Sequence, residues 1–188
     1  MLPDAQRAPQ PVDPIVALIG AGAFREAVAL CAREHGAALG RLCMAMLGDQ
    51  GEAEETVQET LIAAHDAMGD YRGEGTVRAW LFGIARRMCA RRIETRVRRN
   101  HRLRLVHDAS AAAGPDDEVE RARRAARVRD ALQRLRPSER DVLLLRYESG
   151  LSYAEIGQAC GIEEATARQR TSRALGRLRE LLGDEVLS

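Results

Sequence analysis

Residues 151–179, LSYAEIGQACGIEEATARQRTSRALGRLR, are patterned for two helices meeting at a tight turn. Ser152 followed by Glu155 has the form of a capping box, which starts a short helix. Gly161 supplies a residue that takes positive φ without strain, where that helix must stop and turn. Ile156, Cys160 and Ile162 are the apolar residues around the turn, and Gly157 is small enough to let a second helix cross nearby.

The second helix, about Glu164 to Arg179, sorts by face at about 100° per residue. Ala167, Thr171, Ala174 and Leu178 fall on the packing side, and Arg168, Gln169, Ser172 and Arg173 on the solvent side. Arg and Gln make bidentate hydrogen bonds to base edges, and Arg also neutralises phosphate. Arg170 and Arg177 project sideways, where phosphate is the better target. A solvated surface helix would explain the arginines alone. It would not explain the turn and the small residues that accompany them. The stretch therefore reads as a helix-turn-helix whose second helix enters a DNA groove.

Only 3% of the 188 residues are aromatic, while Ala, Leu and Arg are abundant, so the fold class is all-α. All 29 basic residues are arginine, which fits a coding bias better than a functional demand. A net charge of +1 excludes a uniformly basic nucleic-acid coat. Charge is segregated instead. Glu52, Glu54, Glu55 and Glu59 form one acidic patch and residues 116–120 another, whereas 86–104 and 168–179 are basic. Four scattered cysteines lack CxxC spacing and read as buried thiols; Cys31 and His35 alone do not make a metal site. No signal peptide or run of about 20 apolar residues stands out, so a cytoplasmic protein is expected.

In chain order, residues 1–14 hold four prolines and read as a disordered leader. Helices follow from Ile15 and from Phe24 to Leu47, broken at Gly20–Gly22, with Gly48-Asp49 ending the second. A third spans about Glu52 to Met68, with Val57, Leu61, Ala64, His65 and Met68 as its buried stripe. Glu55, Gln58, Glu59 and Ile62 share another flank. A carboxylate-rich flank with an outward isoleucine suits a contact with a basic protein partner. A glycine-rich loop, 69–75, has no following Gly-Lys-Ser/Thr and is no phosphate cradle. A fourth helix, about 77–96, has Trp80, Leu81, Ile84, Met88 and Cys89 on its core side and Arg86, Arg87, Arg91 and Arg92 elsewhere, a second candidate DNA surface. Residues 100–116 lose periodicity and read as a linker. Helices from about 117 to 135 and from Pro137, carrying Val142, Leu143, Leu145 and Tyr147, lead into the helix-turn-helix.

Taken together the chain resembles an extracytoplasmic-function sigma factor of the sigma-70 family, over about residues 15–182. AEETVQETL at 53–61, YRGEGTVRAWLFGIARR at 71–87 and LQRLRPSERDVLLLRYESGLSYAEIG at 132–157 carry the resemblance. It implies two small helical domains joined by a flexible linker: a region 2 domain at 15–99 and a region 4 domain at 117–188. By resemblance, Glu55, Gln58, Glu59 and Ile62 dock on the RNA polymerase core, on the β′ clamp helices, with the β subunit a further contact. Tyr71, Arg72, Trp80, Arg86, Arg87 and Arg91 engage the −10 promoter element. Arg168, Gln169, Ser172 and Arg173 read the −35 element, with Arg170 and Arg177 on phosphate.

The resemblance also implies an anti-sigma factor as silencing partner, often membrane-bound, which would hold the chain at the membrane. No catalysis, small-molecule substrate, cofactor or metal is implied. His65 stands where the family often has Trp, Arg87 and Arg91 where it has Asn and Asp. Gln169, Thr171 and Ser172 replace Ser, Leu and a larger residue, so base preference is particular to this chain. Three other readings fit less of the sequence. A sigma mimic that titrates an anti-sigma factor does not need Arg168 and Arg173 outward. A helix-turn-helix repressor gives the acidic flank no role. A carboxylate nuclease using Glu54, Glu55 and Glu59 lacks a supporting Lys or His.

Overall fold

A computed structural model of the chain describes residues 13–102 and 116–183, with side chains at 13–99 and 123–183. All regular structure among them is helical: α1 (Pro14–Gly20), α2 (Phe24–Leu47), α3 (Gln50–Ala67), α4 (Val77–Arg102), α5 (Asp116–Arg134), α6 (Pro137–Tyr147), α7 (Tyr153–Cys160) and α8 (Glu164–Leu182), with a 3-10 turn at Met68–Asp70. The first helix starts earlier than the composition implies. Asp13 caps it, its carboxylate accepting from Ile15 N at 2.8 Å, and Pro14 takes the first helical position, where its missing N–H costs nothing. The rest of the leader, 1–12, and linker residues 103–115 lie outside the described residues; α4 runs on to Arg102.

The α2–α3 corner follows from two adjacent residues. Gly48 ends α2 at φ 75°, and Asp49 opens α3 by accepting from Glu52 N at 2.8 Å. The buried side of α3 is Ala53, Thr56, Thr60 and Ala64, whereas Val57, Leu61 and His65 are only half-buried. The expected stripe is thus turned by about one residue. Threonine reads as polar, but each hydroxyl here donates 2.7 Å back to the carbonyl four residues earlier, Glu52 and Thr56, so its methyl can face the core at little cost. In α4, Leu81, Ile84 and Cys89 are buried as expected; Trp80 and Met88 are half-buried, and Val77, Phe82 and Ala85 complete the core.

In the second group of helices Val142, Leu143 and Leu145 are buried, but Tyr147 is exposed, one position past the stripe. Glu139 serves the start of α6, its carboxylate accepting from Arg136 N at 3.2 Å. The two helix groups are docked on one another. α4 crosses α7, and α2 meets α6, so buried residues of both groups join one core. That docking is not written in either group's periodicity.

Candidate nucleic-acid interface

The helix-turn-helix is built as its residues dictate. Ser152 Oγ accepts from Glu155 N at 3.2 Å, and the Glu155 carboxylate accepts from Ser152 N at 2.8 Å. Gly161 sits at φ 67°, and Ile162 N donates 2.9 Å back to the Gly157 carbonyl, closing α7. A Cβ on Gly157 would lie 2.7 Å from the Ile162 carbonyl oxygen, so this glycine seats the turn itself. α8 then buries Ala167, Thr171 and Ala174, with Leu178 half-buried, and leaves Arg168, Gln169, Ser172 and Arg173 exposed. The expected reading face points to solvent.

Two side chains that sequence reasoning missed brace that face. Arg168 Nη2 donates to Glu164 at 3.0 Å, and its guanidinium carbon lies 4.9 Å from the Tyr153 ring centre. Arg146 stacks on the same ring at 4.9 Å and donates to the Leu151 carbonyl at 2.8 Å. The i, i+4 spacing of Glu164 and Arg168 was a visible signal; the stack on Tyr153 was not. Arg170 is half-buried. Arg177 departs from expectation. Its Nη1 donates to both Glu139 oxygens at 2.8 and 2.9 Å, because that mostly buried carboxylate needs a cation. It ties α8 to α6 rather than reaching outward.

The second basic surface lies on α4 and the loop before it. Tyr71 and Trp80 pack at a tilt of 55° with ring centres 5.2 Å apart, and the Tyr71 hydroxyl donates to the Gly75 carbonyl at 3.0 Å. Burial pushes the Tyr71 phenol up. Thr76 caps α4, its hydroxyl accepting from Ala79 N at 3.0 Å. Arg72, Arg87 and Arg91 are exposed, and Trp80 is half-buried. Partial desolvation first, then the neighbouring Arg86 and Arg91, hold Arg87 of this open patch below the usual guanidinium range. Arg86 does not belong to that open patch. It turns onto the second helix group and meets Asp141 at 3.0 Å, with side chains 21% and 7% exposed. Burial holds the Asp141 carboxyl above the usual carboxylate range, although Arg86 works against it.

On α3, Glu55, Gln58, Glu59 and Ile62 are all exposed, Ile62 at 62%. Arg92 of α4 clamps this flank, donating to Glu55 at 2.9 Å and Glu59 at 2.8 Å. Arg96 lies 3.6 Å from Glu52. Among the described residues no group of three His, Cys, Asp or Glu is placed to hold a metal ion. Cys31 is a core thiol, pushed up to about 11 by burial.

Two family matches cover these surfaces: Sigma-70 region 2 over residues 31–99 and Sigma-70, region 4 over 125–178. The ECF RNA polymerase sigma factor SigL of Mycobacterium tuberculosis is 36% identical over 154 residues, which span 78% of this chain and 83% of SigL. This chain belongs to the ECF sigma factors of the sigma-70 family. SigC of the same species is 33% identical over 137 residues, 70% of each chain. The sigma factor also resembles CnrH, solved with the cytosolic domain of CnrY, at TM-score 0.65 and 27% identity over 89% of this chain and 94% of that one. RpoE of Bartonella quintana, solved with the anti-sigma factor NepR, matches at TM-score 0.61 and 27% identity over 85% and 96%. Sigma factors regulate transcription and are not enzymes.

Proposed function

We propose that this sigma factor binds core RNA polymerase through Glu55, Gln58, Glu59 and Ile62 and directs promoter-specific initiation. Arg168, Gln169, Ser172 and Arg173 read the −35 major groove, with Arg170 beside them on phosphate. Tyr71, Arg72, Trp80, Arg87 and Arg91 hold the −10 strand; unstacking a base there costs a few kcal/mol, which backbone and polymerase contacts offset. The observation that carries this reading is the outward quartet of α8 on a fully capped turn, opposite a buried Ala167–Thr171–Ala174 stripe.

An anti-sigma factor is the proposed silencing partner, as for the RpoE relative solved with NepR. A groove of about 1000 Å³ supports it, lined by Met44, Val57, Val128, Leu132 and Leu144 and rimmed by Gln58 of the docking flank. A helix seated there would compete directly with polymerase. Among the described residues no helix is long and apolar enough to cross a membrane. A cytoplasmic protein, held at the membrane only through a membrane-bound partner, is the matching proposal.

Run-off transcription with purified core polymerase on a promoter library tests the whole reading. Initiation at a defined pair of elements is the expected result, and no sequence-specific initiation by the folded protein would sink it. Arg173→Ala is expected to weaken −35-dependent initiation by about 1–3 kcal/mol and to relax preference at one position. An unchanged −35 profile would mean that the reading face lies elsewhere on α8.

A further inference from the structure

Within the outward quartet of α8, Arg168 alone is held by other side chains among the described residues. Its Nη2 donates to Glu164 at 3.0 Å, and its guanidinium carbon lies 4.9 Å from the Tyr153 ring centre. Neither holder does much for the fold. The Arg168 and Glu164 side chains are 63% and 52% exposed, so water screens their ion pair. Tyr153 is the first residue of α7 and half-buried, and a second guanidinium, that of Arg146, also lies 4.9 Å from its ring centre. Arg146 is itself fixed, donating to the Leu151 carbonyl at 2.8 Å. A continuous chain of contacts thus runs from the backbone before α7 through Arg146 and Tyr153 to Arg168.

An exposed arginine samples many rotamers, and ordering it at a base edge costs binding free energy. A loose guanidinium also settles on phosphate as readily as on a base, and so binds without choosing. Discrimination needs the N–H fork in place before DNA arrives, because a bidentate pair with guanine O6 and N7 tolerates little displacement. Ring and carboxylate hold Arg168 from two sides. Glu164 engages only Nη2, which leaves the other N–H groups for a base edge.

We propose that Tyr153 is a positioning residue for −35 recognition: with Glu164, its ring fixes the Arg168 guanidinium for one guanine. A residue of the helix that does not read bases thereby sets a base preference. Tyr153 acts through Arg168 and not on phosphate, although the first helix of such a motif crosses the DNA backbone. This role rests on the −35 assignment of α8 made above.

Run-off transcription by the holoenzyme on promoters with a randomised −35 element and a constant −10 element is the test. Arg168→Ala is expected to flatten the preference at one base pair. Tyr153→Leu keeps an apolar side chain against the core but has no aromatic face. It should weaken discrimination at that same pair by roughly two- to fivefold, the size of an exposed cation–π contact, and add nothing in an Arg168→Ala background. Tyr153→Phe should keep the wild-type profile. Preferences elsewhere in the element and the salt dependence of promoter binding should not change, since no phosphate contact is lost. Glu164→Gln loosens the hold from the other side without touching the core. Promoter binding should rise as an anion leaves the interface, while preference at the same pair falls.

A Tyr153→Leu protein that loses initiation evenly across all −35 sequences, or shows a shallower salt slope, overturns the proposal, because the ring would then serve packing or phosphate. Tyr153→Phe as impaired as Tyr153→Leu overturns it too, by moving the role to the hydroxyl. If Tyr153→Leu does not fold, Glu164→Gln decides: an unchanged or sharper preference at the Arg168 pair sinks the idea. Failure of the −35 reading looks different. Arg168→Ala and Arg173→Ala would then both leave the profile as in wild type, and the role of Tyr153 falls with it.

Discussion

Glu59→Arg is expected to abolish recruitment to core polymerase while leaving helix content unchanged. Glu59 is exposed on α3 and shares the Arg92 guanidinium with Glu55, at 2.8 and 2.9 Å. Reversal removes an anion from the centre of the docking flank and sets a second guanidinium beside Arg92. Repulsion then pushes the new side chain outward, where a basic partner would meet a cation. Losing a central charged contact of this kind costs about 2 kcal/mol or more, a loss of roughly thirtyfold or greater in affinity. The fold should survive, since Thr56, Thr60 and Ala64 bury the opposite side of α3. Arg92→Gln is the informative control: it leaves both carboxylates in place without their brace and should weaken binding far less. Co-elution with core polymerase, checked by gel filtration, is the measurement. Undiminished co-elution of Glu59→Arg would move the docking surface off α3.

The local devices of this fold are legible because each is a matter of a few neighbouring residues. Gly48-Asp49 stops one helix and starts another, Ser152 and Glu155 cap α7, and Gly161 turns it. The faces of α8 follow from period alone. What period does not give is the partner of a charge. Arg86 and Arg87 are adjacent and equally basic in sequence, yet one pairs with Asp141, 55 positions away, and the other stays exposed. Arg177 looks as free as Arg173 until Glu139 claims it, and the Arg92 clamp joins residues 33 and 37 apart. Threonine misled the reading of α3 for a different reason: a hydroxyl that bonds its own helix is apolar in effect. The docked arrangement of the two halves was the least legible feature, because each half is patterned to fold without it.

Gly157→Leu is expected to silence the −35 half of the protein while sparing the −10 half. Gly157 and Gly161 are four residues apart in one turn, and their reasons for being glycine differ. Gly161 has φ 67° and nothing within 4 Å of an added Cβ, so Gly161→Ala meets only backbone strain, about 1–2 kcal/mol. Gly157 is helical, and its constraint is space. A Cβ there would lie 2.7 Å from the Ile162 oxygen, 3.4 Å from Glu164 N and 3.5 Å from the Glu163 carbonyl carbon, all backbone atoms. The turn cannot retreat, because Ile162 N is bonded to the Gly157 carbonyl itself at 2.9 Å. A leucine must therefore break that bond or displace the start of α8, with the overpacking costing about 1–3 kcal/mol, occasionally more. Displacement carries Arg168 off the Tyr153 ring and shifts the reading quartet as a body, and base-edge hydrogen bonds do not tolerate a shift of an ångström or so. Thermal unfolding followed by circular dichroism, with run-off transcription on promoters carrying intact or scrambled −35 elements, separates the two glycines. Gly161→Ala should lose stability and keep its −35 preference, whereas Gly157→Leu should initiate equally from both promoters. A Gly157→Leu protein that still prefers the intact element would mean that α8 is positioned by its packing on α5 and α6 rather than by the turn.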